Sequence, residues 1–243
     1  QFFKVLAQPC GWQLSEKKDQ RGLFPLPKVL CNPIRNFFMK TIAVIDYGMG
    51  NLHSVSKALK KVSPSDQILV TSKKSEIENS DKIVLPGVGA IKDCMEALSN
   101  NNLDQVVLRN MAEKPTLAIC VGMQMLLESS EENNGINGFN LLEGKVRRIS
   151  STSTVKVPHM GWNQVLQKSD HYLWTDIPNN SFFYFVHGYA CDSSVDAIGT
   201  TCHGSEFISA LAKNNIFAVQ FHPEKSQKVG LQFYKNFISW EGN

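Results

Sequence analysis

Long apolar runs are missing from this sequence. No window approaches the roughly 18 to 20 uninterrupted apolar residues that a bilayer-spanning helix requires; the densest stretches are 42–45 and 182–186. A membrane span is excluded on that ground. The first residues, 1–28, mix acidic, basic and proline positions and lack the apolar core of about 7 to 15 residues and small-residue cleavage site of a secretory leader. Charge of one sign is also scarce. The net charge is +3, but residues 1–38 carry six basic side chains against Glu16 and Asp19, leaving 19 basic and 20 acidic residues for 39–243. The basic surplus therefore belongs to the leading segment, and nothing supports nucleic-acid binding. No C-x-x-C pair occurs among the six cysteines Cys10, Cys31, Cys94, Cys120, Cys191 and Cys202. A chain of this length needs no disulfide stapling, so free thiols in a reducing cytoplasm are expected. Cys202 and His203 are adjacent, yet neighbours on a strand point to opposite faces and no second pair lies near, so neither a metal nor another cofactor is expected.

What is present divides at Met39. Residues 1–38 hold four of the ten prolines and no lasting periodicity. They read as an extension, either an unstructured tail or a segment outside the native protein, and 39–243 as the functional domain. From Met39 onward, apolar strands alternate with helical patterns: strand 42–45, helix 51–62, strand 68–71, helix 73–79, strand 82–85, helix 91–111, strand 116–119 and helix 121–128. This alternation predicts an α/β domain with a mostly parallel central sheet flanked by helices. The second half adds strands at 145–149, 163–166, 182–187, 197–202, 207–212 and 216–221. A closing amphipathic helix, 227–240, places Val229, Phe233, Phe237 and Trp240 on one stripe.

The most informative local feature is Leu117-Ala-Ile-Cys-Val-Gly122. A buried strand runs straight into a helix with a cysteine at the junction, the form of a nucleophile elbow whose tip residue projects outward. The helix N-terminus directs its free N–H groups at that sulfur, which favours a reactive thiolate. From this hexapeptide alone, a buried core cysteine at a strand end stays equally open. A nucleophile needs a base and an orienting group. Phe221-His-Pro-Glu224 supplies both directly after a strand, where ligand sites of open α/β sheets gather; an exposed turn carrying a solvated His and Glu is the alternative. Leu85-Pro-Gly-Val-Gly89 is the third element. Its glycines permit a peptide whose N–H, that of Val88, turns toward the site and forms an oxyanion hole with the N–H of Val121. A plain tight turn would read the same way. The Gly48-x-Gly50 fragment is no nucleotide fingerprint, since no third glycine follows at the required place.

Taken together, Asp46-Tyr-Gly-Met-Gly-Asn51, Pro86-Gly-Val-Gly89, Ile119-Cys-Val-Gly-Met-Gln124, Pro158-His-Met-Gly-Trp-Asn163, Tyr184-Phe-Val-His187 and His222-Pro-Glu224 resemble, in order and spacing, the class I, triad-type glutamine amidotransferases. Within that class the resemblance is to the glutaminase subunits of imidazole glycerol phosphate synthases. It covers residues 39–243 and implies a flavodoxin-like α/β fold with Cys120, His222 and Glu224 as catalytic triad. It further implies that Gly89, Gln124 and Tyr189 bind the substrate L-glutamine, and that Met49, Asn51 and Lys225 face a (β/α)₈-barrel cyclase partner in a heterodimer. The ammonia would pass to that partner, which makes imidazole glycerol phosphate and aminoimidazole carboxamide ribotide in histidine biosynthesis.

Three positions depart from the family wording. Ala118 stands where the elbow usually has Gly, a methyl expected to crowd and slightly open the turn. Val121 replaces a more common Leu. Gly188 stands where a Ser normally follows the histidine, so substrate affinity is expected to be weaker. These departures keep three alternatives in view: a paralogous subunit supplying ammonia for amidation of a surface-polysaccharide sugar, an idle partner-binding scaffold, and a partner-free hydrolase of γ-glutamyl peptides.

Overall fold

The computed structural model describes residues 39–242; the expectation made for residues 1–38 lies outside the described residues, as do Cys10 and Cys31. The first half runs β1 (Thr41–Ile45), α1 (Leu52–Val62), β2 (Gln67–Thr71), α2 (Lys74–Glu78), β3 (Lys82–Gly87), α3 (Ile91–Asn100), α4 (Asp104–Glu113), β4 (Thr116–Cys120) and α5 (Val121–Leu126). The second half runs β5 (Ser129–Ser130), β6 (Ile136–Asn137), β7 (Lys145–Arg148), β8 (His159–Gln167), β9 (Ser181–His187), β10 (Tyr189–Cys191), β11 (Ala197–His203), β12 (Ser205–Lys213), β13 (Ile216–Val219) and α6 (Gln227–Ser239). Among the described residues no helix is long and apolar enough to cross a membrane.

The sheet centre has the order β2-β1-β3-β4-β13, and all four pairings there are parallel. Covered on both faces, the inner strands β3, β4 and β13 lack alternation and every residue in them is buried, whereas the edge strand β2 exposes Gln67 and Val70. Beyond β13 the sheet turns antiparallel through β12, which carries β10 and β7 on one path and β11, β8 and β9 on another. The chain builds β1 and β2 in one direction and then β3 in the other, so strand order reverses beside β1. Open α/β sheets bind ligands at the carboxyl ends of the strands around such a reversal.

Two sequence expectations need correction. The single helix expected over 91–111 is two. Asn102 adopts φ +53°, and the N–H of Leu103 reaches back to the Leu98 carbonyl at 3.0 Å, the six-to-one closure of a helix that ends on a left-handed residue. Apolar residues recur on both sides of this break, with Ile91, Cys94 and Leu98 buried in the first helix and Val106, Val107 and Met111 in the second. The strand expected over 163–166 starts at His159, because pairing with β9 runs from His159↔His187 to Val165↔Ser181. Strands β5, β6 and β10 escaped notice because two or three residues carry no period.

The closing helix packs as its stripe predicts, with Phe233, Phe237 and Trp240 buried and Val229 partly so. Phe233 joins Phe183 and Phe221 in one aromatic cluster, the Phe183 and Phe221 ring centroids lying 4.0 Å apart. Burying rings of this size contributes about 1.5–3 kcal/mol each. Phe221 immediately precedes His222, so the core anchors the backbone from which that imidazole projects. Helix α6 approaches the turn after His222 so closely that a Cβ on Gly230 would collide with the Pro223 carbonyl. Gly230→Ala is therefore expected to cost about 1–3 kcal/mol through overpacking, lowering Tm by roughly 2–10 °C for a domain of this size. Calorimetry of that variant checks the expectation, and an unchanged Tm would show the approach to be looser than described.

Candidate active site

Parallel neighbours end on the same edge of a sheet. The loops after β1, β3, β4 and β13 consequently converge there and enclose a cavity of about 480 Å³, a volume suited to a small ligand. Its wall includes Cys120, Val121 and Gln124 from the β4–α5 junction, Val88 and Gly89 from the loop after β3, and His222 from the loop after β13. Asn51, Tyr189 and Lys225 complete the expected residues on the wall. Glu224 stands behind His222, and Met49 lies behind Gly89, where a Cβ would come 3.2 Å from the Met49 Cε.

Cys120 occupies the elbow with φ +55° and ψ −110°, a conformation that residues with a side chain seldom adopt. The turn is made tight by two glycines. A Cβ on Gly122 would collide with the Leu85 carbonyl, and one on Gly87 would lie 2.6 Å from the Gly122 nitrogen. The crowding expected at Ala118 falls at these glycines instead. Ala118 is an ordinary strand residue in register with Leu85 and Ala218, so its methyl points into the sheet packing and does not open the elbow.

His222 is set by a small ring of hydrogen bonds to its backbone. Its N–H donates to the Tyr184 carbonyl at 2.8 Å, and its carbonyl accepts from Ser226 Oγ at 2.7 Å. Ser226 Oγ in turn accepts from the Tyr184 N–H at 3.0 Å. Nδ1 lies 2.8 Å from Glu224 Oε1, and both side chains are 1% exposed. A carboxylate at Nδ1 selects the tautomer with its proton there, leaving Nε2 as the acceptor. Nε2 is buried without a hydrogen-bond partner, in the cavity wall that it shares with Cys120. Burial alone would push the His222 imidazole down, but the Cys120 sulfur and the Glu224 carboxylate outweigh it and hold the ring up, to about 10.

The structure adds contacts at several of these positions. Asn51, assigned to the partner surface, directs Nδ2 at Glu224 Oε1 from 3.5 Å and does not cap α1. Tyr189 takes part through its backbone carbonyl, which accepts from Gln124 Nε2 at 3.0 Å and from His187 Nδ1 at 2.8 Å. Lys225 places Nζ 5.6 Å from the Tyr184 ring centroid, at the cavity rim. Gly188 lines the cavity, and a Cβ there would meet only Val157 Cγ1 at 3.7 Å, so a larger residue fits.

Sequence reading gave no role to His187, His159 or Gln220. His187 Nε2 lies 3.0 Å from His159 Nδ1, and His159 Nε2 lies 3.2 Å from Asn163 Nδ2, a chain that ends on the Tyr189 carbonyl. Burial pushes His159 down to about 4 and His187 to about 3, so both are neutral rings. Their motifs were visible, but only cross-strand pairing of β8 with β9 joins them. On the outer face of the same pair, Met160, Trp162 and Phe182 are exposed, an apolar face whose signal was the alternation along β8. No cluster of three or more metal-ligating side chains occurs among the described residues.

A thiol at a strained elbow, a buried imidazole and a carboxylate behind it define a triad-type amidotransferase site, and the profile of glutamine amidotransferase class-I matches residues 43–240. The chain is 52% identical to the imidazole glycerol phosphate synthase subunit HisH of Nitrosococcus oceani, over 84% of this chain and 99% of that protein. It is 50% identical to the HisH subunit of Acinetobacter baylyi, over 83% and 99%, and 48% identical to HisH 1 of Pseudomonas aeruginosa, over 84% and 99%. Among solved structures, a glutamine amidotransferase (TM-score 0.62, 13% identity, 82% of this chain and 97% of that one) and PurLQS from Thermotoga maritima (TM-score 0.57, 16% identity, 83% and 97%) share the fold. The chain thus belongs to the class I glutamine amidotransferases and, within them, to the HisH subunits of imidazole glycerol phosphate synthase.

The elevated His222 implies a pH dependence. An imidazole held above its unfolded value contributes stability that is complete below about pH 6.5 and is lost as pH rises toward about 10. Cys120→Ala removes the sulfur that holds the ring up. Thermal unfolding between pH 6.5 and 10 is expected to decline less steeply for Cys120→Ala than for the unsubstituted protein; equal slopes would sever the two groups.

Proposed function

We propose that this protein hydrolyses L-glutamine to glutamate and ammonia at Cys120 and hands the ammonia to a (β/α)₈-barrel cyclase subunit. That partner makes imidazole glycerol phosphate and aminoimidazole carboxamide ribotide in histidine biosynthesis. The observation that carries the reading is the geometry of His222: Nδ1 held by a buried carboxylate, and Nε2 unpartnered on a residue that lines the same cavity as Cys120. A buried ring nitrogen without a partner is costly unless a ligand completes it.

In this reading the sulfur attacks the carboxamide carbon while His222 Nε2 takes the thiol proton, and the negative charge that forms on oxygen is met by the N–H groups of Val88 and Val121. Collapse of the intermediate expels ammonia, with His222 returning the proton to it. A thioester to Cys120 remains. Water then attacks that thioester with His222 again as base, and glutamate leaves. Gly89, Gln124 and Tyr189 bind the glutamine, Gln124 and Tyr189 as one hydrogen-bonded unit. Glu224 orients the imidazole and stabilises its charged form, and Asn51 supports that carboxylate.

Ammonia protonated by water is no nucleophile, so transfer requires a dry route into the partner. Asn51 and Lys225 on the cavity wall and Met49 behind Gly89, with the apolar face of Met160, Trp162 and Phe182, are the surface we assign to the cyclase. Residues 39–243 are the amidotransferase domain, with 1–38 an extension. The described cysteines are all free, which suits the cytoplasm as the site of reaction. The identity to HisH subunits over nearly their whole length supports histidine biosynthesis over amidation of a polysaccharide sugar, and the intact triad supports an enzyme over a scaffold.

Glutamate release by the protein mixed with its cyclase and acceptor nucleotide tests this function. Turnover is expected to fall at least about a thousandfold in Cys120→Ala and about 10³- to 10⁴-fold in Glu224→Gln. Retained turnover in Cys120→Ala, or full turnover without the cyclase, would overturn the assignment. Gly188→Ser, for which the cavity has room, is expected to lower KM for glutamine about two- to tenfold by supplying a hydroxyl; an unchanged KM would show that this position does not touch the substrate.

A further inference from the structure

Gln220 is fully buried and belongs to none of the motifs that carry the chemistry. The last registered pair between β13 and β4 is Val219↔Ile119, so the next residue on each strand brings Gln220 beside Cys120. Its backbone N–H donates to the Ser209 carbonyl at 3.0 Å, which fixes where the side chain starts. Its Oε1 accepts from Gln124 Nε2 at 3.0 Å, and its Nε2 donates to the Cys120 sulfur at 3.6 Å. Gln124, one helical turn beyond Cys120, donates from the same Nε2 to the Tyr189 carbonyl at 3.0 Å.

The polarity of this chain is dictated from one end. A backbone carbonyl only accepts, so Gln124 must face Tyr189 with its nitrogen. The second hydrogen of that nitrogen meets Gln220, which must answer with its oxygen. The nitrogen of Gln220 is then left for the sulfur. Neither amide can flip without setting two acceptors or two donors against each other, and both side chains are buried.

We infer that Gln220 is a positioning residue for glutamine hydrolysis: its N–H orients the Cys120 sulfur and supports negative charge there, while its carbonyl holds the Gln124 carboxamide toward the substrate. It is absent from the cavity wall, so it acts through Cys120 and Gln124 and does not touch glutamine. This assignment rests on Cys120 being the nucleophile.

Gln220→Met keeps the volume and removes both donor and acceptor. In the complex with the cyclase, alkylation of Cys120 by iodoacetamide, which needs no glutamine site, is expected to slow about tenfold, the scale of a lost charge-assisted hydrogen bond. The kcat is expected to fall by at least that factor. KM should rise only a few-fold, because the Tyr189 carbonyl still anchors Gln124. A merely structural role moves alkylation the other way, since loosened packing exposes a buried thiol. Alkylation as fast as in the unsubstituted complex, or faster, overturns the inference. Should the variant not fold, the unsubstituted complex decides: the Gln220 Nε2 side-chain signal in a ¹⁵N-resolved spectrum shifts when Cys120 is alkylated, and an unmoved signal overturns the inference. Failure of the unsubstituted complex to release glutamate or to react at Cys120 is a different result, which removes the nucleophile and this role with it.

Discussion

Parallel pairing of β3, β4 and β13 is the constraint on which the rest of the molecule depends. Parallel neighbours end on the same side, about 4.8 Å apart, so residues more than a hundred positions apart arrive at one edge without any long-range search by their side chains. Cys120 ends the middle strand, the Gly87–Gly89 loop follows one neighbour, and His222 follows the other. An antiparallel β13 would have carried His222 to the far edge. The flanking helices and the aromatic cluster beneath Phe221 keep these strands dry and in register.

Within that frame, close backbone approaches substitute for side-chain contacts. Gly87 and Gly122 let the elbow pass beside β3, and Gly230 lets α6 press on the turn that carries His222 and Glu224. At each place a methyl group would displace main chain, the least compliant neighbour a side chain can have. Strain at Cys120 is tolerated because the surrounding sheet determines the position of both strand and helix. The site is thus rigid where atoms react. Where it meets solvent, at Lys225 and along the outer face of β8 and β9, it is open to a partner.

The polar interior follows a different logic. Two chains of hydrogen bonds meet at the Tyr189 carbonyl, one through Gln124 and Gln220 to the sulfur, the other through His187 and His159 to Asn163. Both are rooted in a group that can only accept, so their donor and acceptor order is set without any charge. The buried rings of His159 and His187 stay neutral, which leaves His222 as the imidazole whose charge the site sustains.

Local pattern was enough to read much of this protein. The alternation of apolar strands with helical stretches defined the parallel core, while the strand–Cys–helix junction and His-Pro-Glu after a strand were each open to a plainer reading and pointed to a triad only when taken with the other motifs. Short strands, the break at Asn102 and the true start of β8 were not legible, since they depend on a left-handed residue or on pairing with a distant strand. Only the tertiary structure could bring Asn51 to Glu224, seat Gln124 on the Tyr189 carbonyl, and set Gln220 beside the sulfur. Sequence determines which groups stand at the ends of strands, because burial and turn geometry are local demands. Which of those groups touch is decided by strand order and register, and these are properties of the whole sheet.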